Sequence, residues 1–184
     1  MTSQIEIKTP KLLLKSITPD IINWLFGHKT REEITAFFGV DNGGYEHLRS
    51  MQEGGMETHR LSLFYFLLCD KATGQVIGEC GFHTWNRTHH RAELFYSLRN
   101  DAHKRKGLMT EALQAVLDFG FKELGLHRIA ALVASDNIAS VKLLDRYGFT
   151  KEGTMREDYV VNGVNESSDC YSLLQWEWAQ SSSR

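Results

Sequence analysis

Leu98-Arg99-Asn100-Asp101-Ala102-His103-Lys104-Arg105-Lys106-Gly107-Leu108-Met109-Thr110-Glu111-Ala112 is the stretch on which the reading of this 184-residue chain turns. The branched and aromatic run Ala92 to Leu98 leads into it. An apolar periodicity leads out of it through Met109, Ala112, Leu113, Val116, Leu117, Gly120, Phe121 and Leu124. That i, i+3, i+4, i+7 spacing fixes one helix face to a sheet. With Gly125 as the expected C-cap, the segment reads as strand, basic turn, long helix.

Such a segment suits a phosphate. The first turn of a helix carries backbone N–H groups without intrahelical partners, at the positive end of the macrodipole. A glycine there lets an anion approach the main chain. Gly107 holds that place, and Lys104, Arg105 and Lys106 surround it with charge. The bland alternative is a solvated turn. Neither G-x-x-x-x-G-K-[ST] nor G-x-G-x-x-G is present, so an anion site needs support from elsewhere.

A second stretch supplies it. Ser135-Asp136-Asn137-Ile138-Ala139-Ser140-Val141-Lys142-Leu143-Leu144-Asp145-Arg146-Tyr147-Gly148-Phe149 follows the apolar strand Ile129 to Ala134. The turn running G-x-x-T-E-A from Gly107 to Ala112, and the N-x-x-S helix ending in Gly148-Phe149, together resemble the GNAT superfamily of acyl-CoA-dependent N-acyltransferases. The likeness is to its RimJ/RimL branch. It extends to Thr9-Pro10-Lys11-Leu12-Leu13-Leu14, to Ala92-Glu93-Leu94-Phe95-Tyr96, and to the segments Val161-Asn162-Gly163 and Tyr171-Ser172-Leu173-Leu174. Two positions depart from the family's turn, usually Q/R-x-x-G-x-G/A: Lys104 stands first, keeping charge, and Met109 last, where a small residue is usual.

The resemblance implies a single α+β domain over residues 1–180, a mixed, mostly antiparallel sheet flanked by helices, with Ser181 to Arg184 as a disordered tail. It implies acetyl-CoA as co-substrate. The acetyl carbonyl would meet main-chain N–H groups around Tyr96, Ser97 and Leu98. The pyrophosphate would sit on Lys104, Arg105, Lys106, Gly107, Leu108, Met109 and Thr110. Asn137, Ser140 and Arg146 would complete the cofactor site, Asn137 by bonding the pantetheine arm.

Amine attack on a thioester requires an unprotonated amine, a stabilised oxyanion and a proton for the thiolate. Many relatives donate that proton from a tyrosine seven residues after the asparagine, where this chain has Leu144; Tyr147 is three residues too late and reads as core. Ser140 is the better candidate, with a first-turn helix serine of no chemical role as the alternative. For the base, Glu93 and Asp158 are the leading candidates, with Glu79 and His83 also possible. A protein α-amine titrates at about 7.7 to 8.0 against about 10.4 for lysine, so positioning would outweigh base strength. Glu111 reads as a favourable charge at a helix N-terminus.

Composition narrows the classes. Apolar residues at 42% and charged residues at 24% are those of a soluble globular chain, and a net charge of −2 gives no basic field for nucleic acid. Cys69, Cys80 and Cys170 lack C-x-x-C spacing and are expected as core strand residues in a reducing cytoplasm. Met1 to Thr9 has no signal-peptide pattern, and no apolar run approaches a membrane span. His89-His90 lacks further ligands at useful spacing, so no metal is expected.

The remaining elements follow from local signals. Leu12 to Ser16 reads as the first strand, and Thr18-Pro19 opens a helix through Phe26. Thr30 with Glu33 is a capping box. Asp41-Asn42-Gly43-Gly44 breaks the chain before a helical piece from Tyr45 to about Glu53. Trp24, Phe37, Phe38 and Tyr45 either line an acceptor cleft or, the favoured reading, belong to the core. Leu61 to Cys69, Val76 to Trp85 and Ala92 to Leu98 form an antiparallel meander. Arg128 to Ala134 is a strand, Asn137 to Tyr147 a helix, and Thr150 to Val161 pairs across Asn162-Gly163 with a strand from Asn165 to Trp178. Tyr171, Trp176 and Trp178 are either a homodimer face or core.

The expected function is acetyl transfer from acetyl-CoA to a primary amine, with a protein N-terminal α-amine as leading acceptor. A small-molecule amine is the alternative acceptor. A non-catalytic acyl-CoA-binding module is a rival of another class, and a purely structural domain a third.

Overall fold

Eight strands make one sheet in the order β1-β2-β3-β4-β5-β6-β8-β7, in a computed structural model that describes residues 4–181. β1 (Glu6–Lys8), β2 (Leu12–Ile17), β3 (Leu61–Asp70), β4 (Val76–Asn86) and β5 (Arg91–Leu98) pair antiparallel in sequence order. β6 (Arg128–Ala134) joins β5 in the sheet's one parallel pairing, and β7 (Thr150–Val161) and β8 (Val164–Leu174) close the far side.

The helices lie on opposite faces. α1 (Pro19–His28), α2 (Arg31–Phe38) and α3 (Asn42–Gly54) cover a core of Ile17, Ile22, Ile34, Phe38, Tyr65 and Leu67. α4 (Leu108–Lys122) covers the larger one, where Leu113, Val116 and Leu117 pack on Phe66, Phe82 and Leu94. β3 is sandwiched between the two, which is why its apolar run does not alternate. β3 and β4 approach so closely that a Cβ on Gly81 would stand 2.2 Å from Tyr65 Cα.

The capping signals formed as read: Thr18 accepts from Ile21 N–H, and Thr30 and Glu33 make the reciprocal box. Several expectations need correction. The strand β1, bonded through Ile5 to Ser16, precedes the expected first strand; three residues with charged ends carry no readable pattern. Asp41 does not end order but caps α3, its Oδ1 taking the Gly44 N–H at 2.9 Å, so that helix starts at Asn42 and absorbs both glycines. α4 ends at Lys122, and Gly125 (φ +64°) sits in the turn beyond, where Leu126 N–H returns to the Gly120 carbonyl.

The last strand stops at Leu174. Glu177 reaches back to the Leu174 N–H at 2.8 Å and starts α6 (Gln175–Ser181). Trp176 and Trp178 are therefore helical, with Trp178 buried beside Phe121, Tyr171 buried on β8, and Trp176 53% exposed. Trp24, expected in the core, is 43% exposed and stacks on His28. Phe38 is buried with Phe37 edge-on to it, and Tyr45 packs against the same core. Cys69 and Cys80 are buried and Cys170 half-buried, all as free thiols. Ser182 to Arg184, most of the expected tail, lie outside the described residues.

Candidate active site

The parallel contact between β5 and β6 lasts for three pairs, Arg91↔Arg128, Ala92↔Ile129 and Glu93↔Ala130. Beyond Glu93 the strands part, because β6 stays paired to β8 as far as Ala134↔Ser168 while β5 stays with β4. The β6-side edge of β5 from Leu94 to Leu98 is thus left facing a gap.

Two clefts meet in that gap. One, about 590 Å³, runs from Tyr96, Ser97 and Leu98 to the turn at Lys104, Arg105 and Gly107. The other, about 260 Å³, runs from the same gap to His83 and Glu93. Tyr96, Asn137 and Ser140 line both.

The first cleft carries most of the expected cofactor residues. Asn100 caps a 3-10 turn over Asp101–His103 by accepting from Ala102 N–H, and Lys104 pairs with Asp101 at 2.6 Å. Gly107, with φ +75°, is the N-cap of α4, and no side chain caps that helix. The first intrahelical bond is Glu111 N–H to the Gly107 carbonyl, so the N–H groups of Leu108, Met109 and Thr110 have no partner within the helix. A Cβ built on Gly107 would meet nothing within 4 Å. Open space, unspent donors and flanking cations fit a pyrophosphate.

Met109 does not fill that space. It packs partly against the main core while lining the cleft, leaving the backbone accessible. Lys106 does not line the cleft; its carbonyl accepts from Lys11 Nζ. Arg146 stands at the cleft's edge, 3.5 Å from the Thr110 hydroxyl. Tyr147 leans on Trp178 and donates its hydroxyl to the Thr110 carbonyl, which joins α5 (Ile138–Arg146) to the first turn of α4.

At the junction, Asn137 caps α5: its Oδ1 takes the Ser140 N–H at 3.2 Å, leaving the amide nitrogen to donate. Ser140 comes beside Tyr96, whose hydroxyl is pushed above its ordinary pKa by burial, with the Ser140 side chain acting in the opposite sense. The Tyr96 side chain is a site group that sequence reasoning missed, having used only its main chain. Its direction follows from the register Tyr96↔Cys80, which no local pattern announces.

The second cleft holds Glu93 and His83, directly opposite each other on β5 and β4 with His83 Nε2 3.5 Å from Glu93 Oε1. Glu79 lies four residues back along β4. Burial raises its pKa, while Arg99, whose guanidinium binds the Phe38 and Gly39 carbonyls, and His47 act against that rise. Asp158 is not brought to this cluster. Its two oxygens take the N–H and hydroxyl of Ser168 at 2.9 and 2.6 Å, and it lines neither cleft. Glu111 does more than face a dipole: its Oε1 accepts from Thr9 Oγ1 and from the Lys11 and Leu12 N–H groups. Among the described residues no three His, Cys, Asp or Glu side chains are grouped to hold a metal, and no helix is long and apolar enough to cross a membrane.

The split sheet and the uncapped helix N-terminus beside it leave main-chain groups open to a ligand in one gap. The acetyltransferase (GNAT) domain family matches residues 11–150, and this chain belongs to it. The uncharacterized N-acetyltransferase YoaA of Bacillus subtilis is 30% identical, covering 92% of this chain and 96% of its own. Among solved structures, the spermidine/spermine N-acetyltransferase SpeG of Vibrio cholerae superposes with a TM-score of 0.70 at 21% identity, over 94% of this chain and 98% of its own. The ribosomal-protein-S5-alanine acetyltransferase of Vibrio fischeri does so with a TM-score of 0.68 at 24% identity, over 95% and 98%. The protein is an N-acetyltransferase, and the family uses acetyl-CoA as co-substrate.

Proposed function

We propose that this enzyme acetylates the N-terminal α-amine of a polypeptide. The observation that carries the reading is the second cleft: it is built from strand edges and one carboxylate rather than a closed aromatic box, with Phe95 and Tyr96 its only carbocyclic rings. One ammonium and an extended chain suit that shape. The Gly107 turn holds the pyrophosphate, Asn137 orients the pantetheine arm, and the freed edge of β5 offers its main chain to the acetyl carbonyl. Ser140, next to Tyr96, supplies the thiolate proton, and Glu93 faces the amine.

A small polycation is the second reading, favoured by Glu79. Its partly buried carboxylate shares the face of β4 that carries His83. Thiol release from acetyl-CoA, measured with free-amine peptides and with spermidine, tests the two. A kcat/KM at least about 10-fold higher for peptides supports the first reading, and the reverse supports the second.

A further inference from the structure

β4 and β5 pair regularly from Gly78↔Leu98 to His83↔Glu93 and then slip, so that the next pair is Asn86↔Arg91. Inside the slip Thr84 adopts φ +49°. A β-branched residue is disfavoured in the left-handed region by its own side chain, and bulges of this kind re-aim side chains. Neighbours in a regular strand point to opposite faces. Here the bulge instead folds Thr84 Oγ1 onto His83 Nδ1, at 2.8 Å.

That contact bears on where the ring carries its proton. His83 Nε2 is 3.5 Å from Glu93 Oε1, beyond the roughly 2.7 to 3.2 Å of an N–H···O bond, so Nε2 does not donate to the carboxylate. The Thr84 hydroxyl accepts from Nδ1–H in one tautomer and donates to Nδ1 in the other; in the first, Nε2 turns a lone pair toward the cleft. Two acceptors then face one another with no hydrogen between them, while the ring rests on Phe95 at 5.5 Å between centroids. The group that satisfies both is an ammonium.

We propose that His83 and Glu93 form a two-acceptor fork for the ammonium of the acceptor, that His83 Nε2 takes its proton, and that Thr84 is the positioning residue that sets the tautomer. This rests on the acetyltransferase reading of the site and assigns His83 rather than Glu93 as the proton acceptor. The ammonium loses two protons. The first goes to Nε2, freeing the nitrogen lone pair that forms the C–N bond, and the imidazolium is stabilised by Glu93. The second reaches the departing thiolate through the Ser140 hydroxyl as the C–S bond breaks, and His83 then returns its proton to solvent. Besides Glu93, the titratable group lining this cleft is Tyr96; Cys170 on β8 feels the Glu93 charge, and β6 and α5 contribute uncharged residues to the lining.

Nitrogen-15 NMR of the His83 ring in the protein without acetyl-CoA tests the tautomer directly. The Nδ1–H form is expected in wild type and in Thr84→Ser, and a shift toward Nε2–H in Thr84→Val. Thiol release with a free-amine peptide and with spermidine tests the proton transfer. His83→Gln is expected to lower kcat/KM for the amine about 100-fold near neutral pH, with partial recovery at higher pH where the amine deprotonates unaided. Calorimetry is expected to find its acetyl-CoA affinity unchanged. An Nε2–H ring in wild type, or a His83→Gln enzyme within threefold of wild type at neutral pH, would overturn the proposal. Absence of turnover by wild type on both amines, with acetyl-CoA still bound, would overturn the transferase reading and this proposal with it.

Discussion

The Glu111 carboxylate, in the first turn of α4, accepts from the Thr9 hydroxyl at 2.5 Å and from the Lys11 N–H at 2.7 Å, tying the β1–β2 turn to the helix that follows Gly107. Hydrogen bonds to a charged group contribute about 1.5 to 3 kcal/mol each, and here several share one carboxylate. Glu111→Ala is expected to destabilise the fold by about 2 to 3 kcal/mol, read as a lower urea midpoint.

Gly107 combines φ +75° with empty space where a side chain would stand. Gly107→Asp therefore leaves the core intact, at a cost of about 1 kcal/mol for the left-handed backbone. The added carboxylate repels a pyrophosphate. Calorimetric titration is expected to show acetyl-CoA affinity lower by at least about 10-fold, with the melting temperature reduced by only a few degrees.

Ser140 holds α5 through its backbone N–H, which Asn137 caps whatever the side chain. Ser140→Ala should keep the helix and acetyl-CoA affinity while lowering kcat about 100-fold, if its hydroxyl delivers the thiolate proton. An unchanged kcat would reduce it to a helix residue.

Glu152 joins β7 to its neighbours, taking the Arg128 guanidinium on both oxygens and the Ser172 hydroxyl on one. The Arg128 hydrogen bonds, then that of Ser172, hold its pKa at about 2 against an ordinary 4.5. A depressed folded-state pKa adds stability that is complete above the unfolded value and lost as pH falls from about 4.5 toward 2. With the side chain 40% exposed, solvent screening reduces the contribution to about 1 kcal/mol. Denaturant midpoints measured from pH 6 down to pH 2.5 are expected to fall less for Glu152→Gln than for wild type.

The elements legible in the sequence were those specified within a few residues of themselves. The Thr30–Glu33 box, the Asn162-Gly163 hairpin and the apolar stripe of α4 each involve contacts inside one turn or one helix. The chain ends were misread where a long-range or reciprocal contact intervened: Ser16 holds Ile5, just ahead of β1, and Glu177 takes the Leu174 N–H where β8 gives way to α6. Trp176 and Trp178 look like strand residues until that cap is known.

The candidate site divides the same way. The Gly107 turn was readable because glycine, cations and a helix start are contiguous, and Asn137 with Ser140 because they share one helical turn. Asp158 was plausible as a base only while its partner was unknown, and Ser168 occupies it.

The sequence by itself determined the family and the caps at Thr18 and Thr30, since each is encoded by residues close along the chain. Tertiary structure alone decided where β5 leaves β6, that Tyr96 and Ser140 meet, and that Thr84 turns back onto His83 opposite Glu93. Those facts depend on strand register, which is the joint outcome of packing on both faces of a sheet and is written in no single segment.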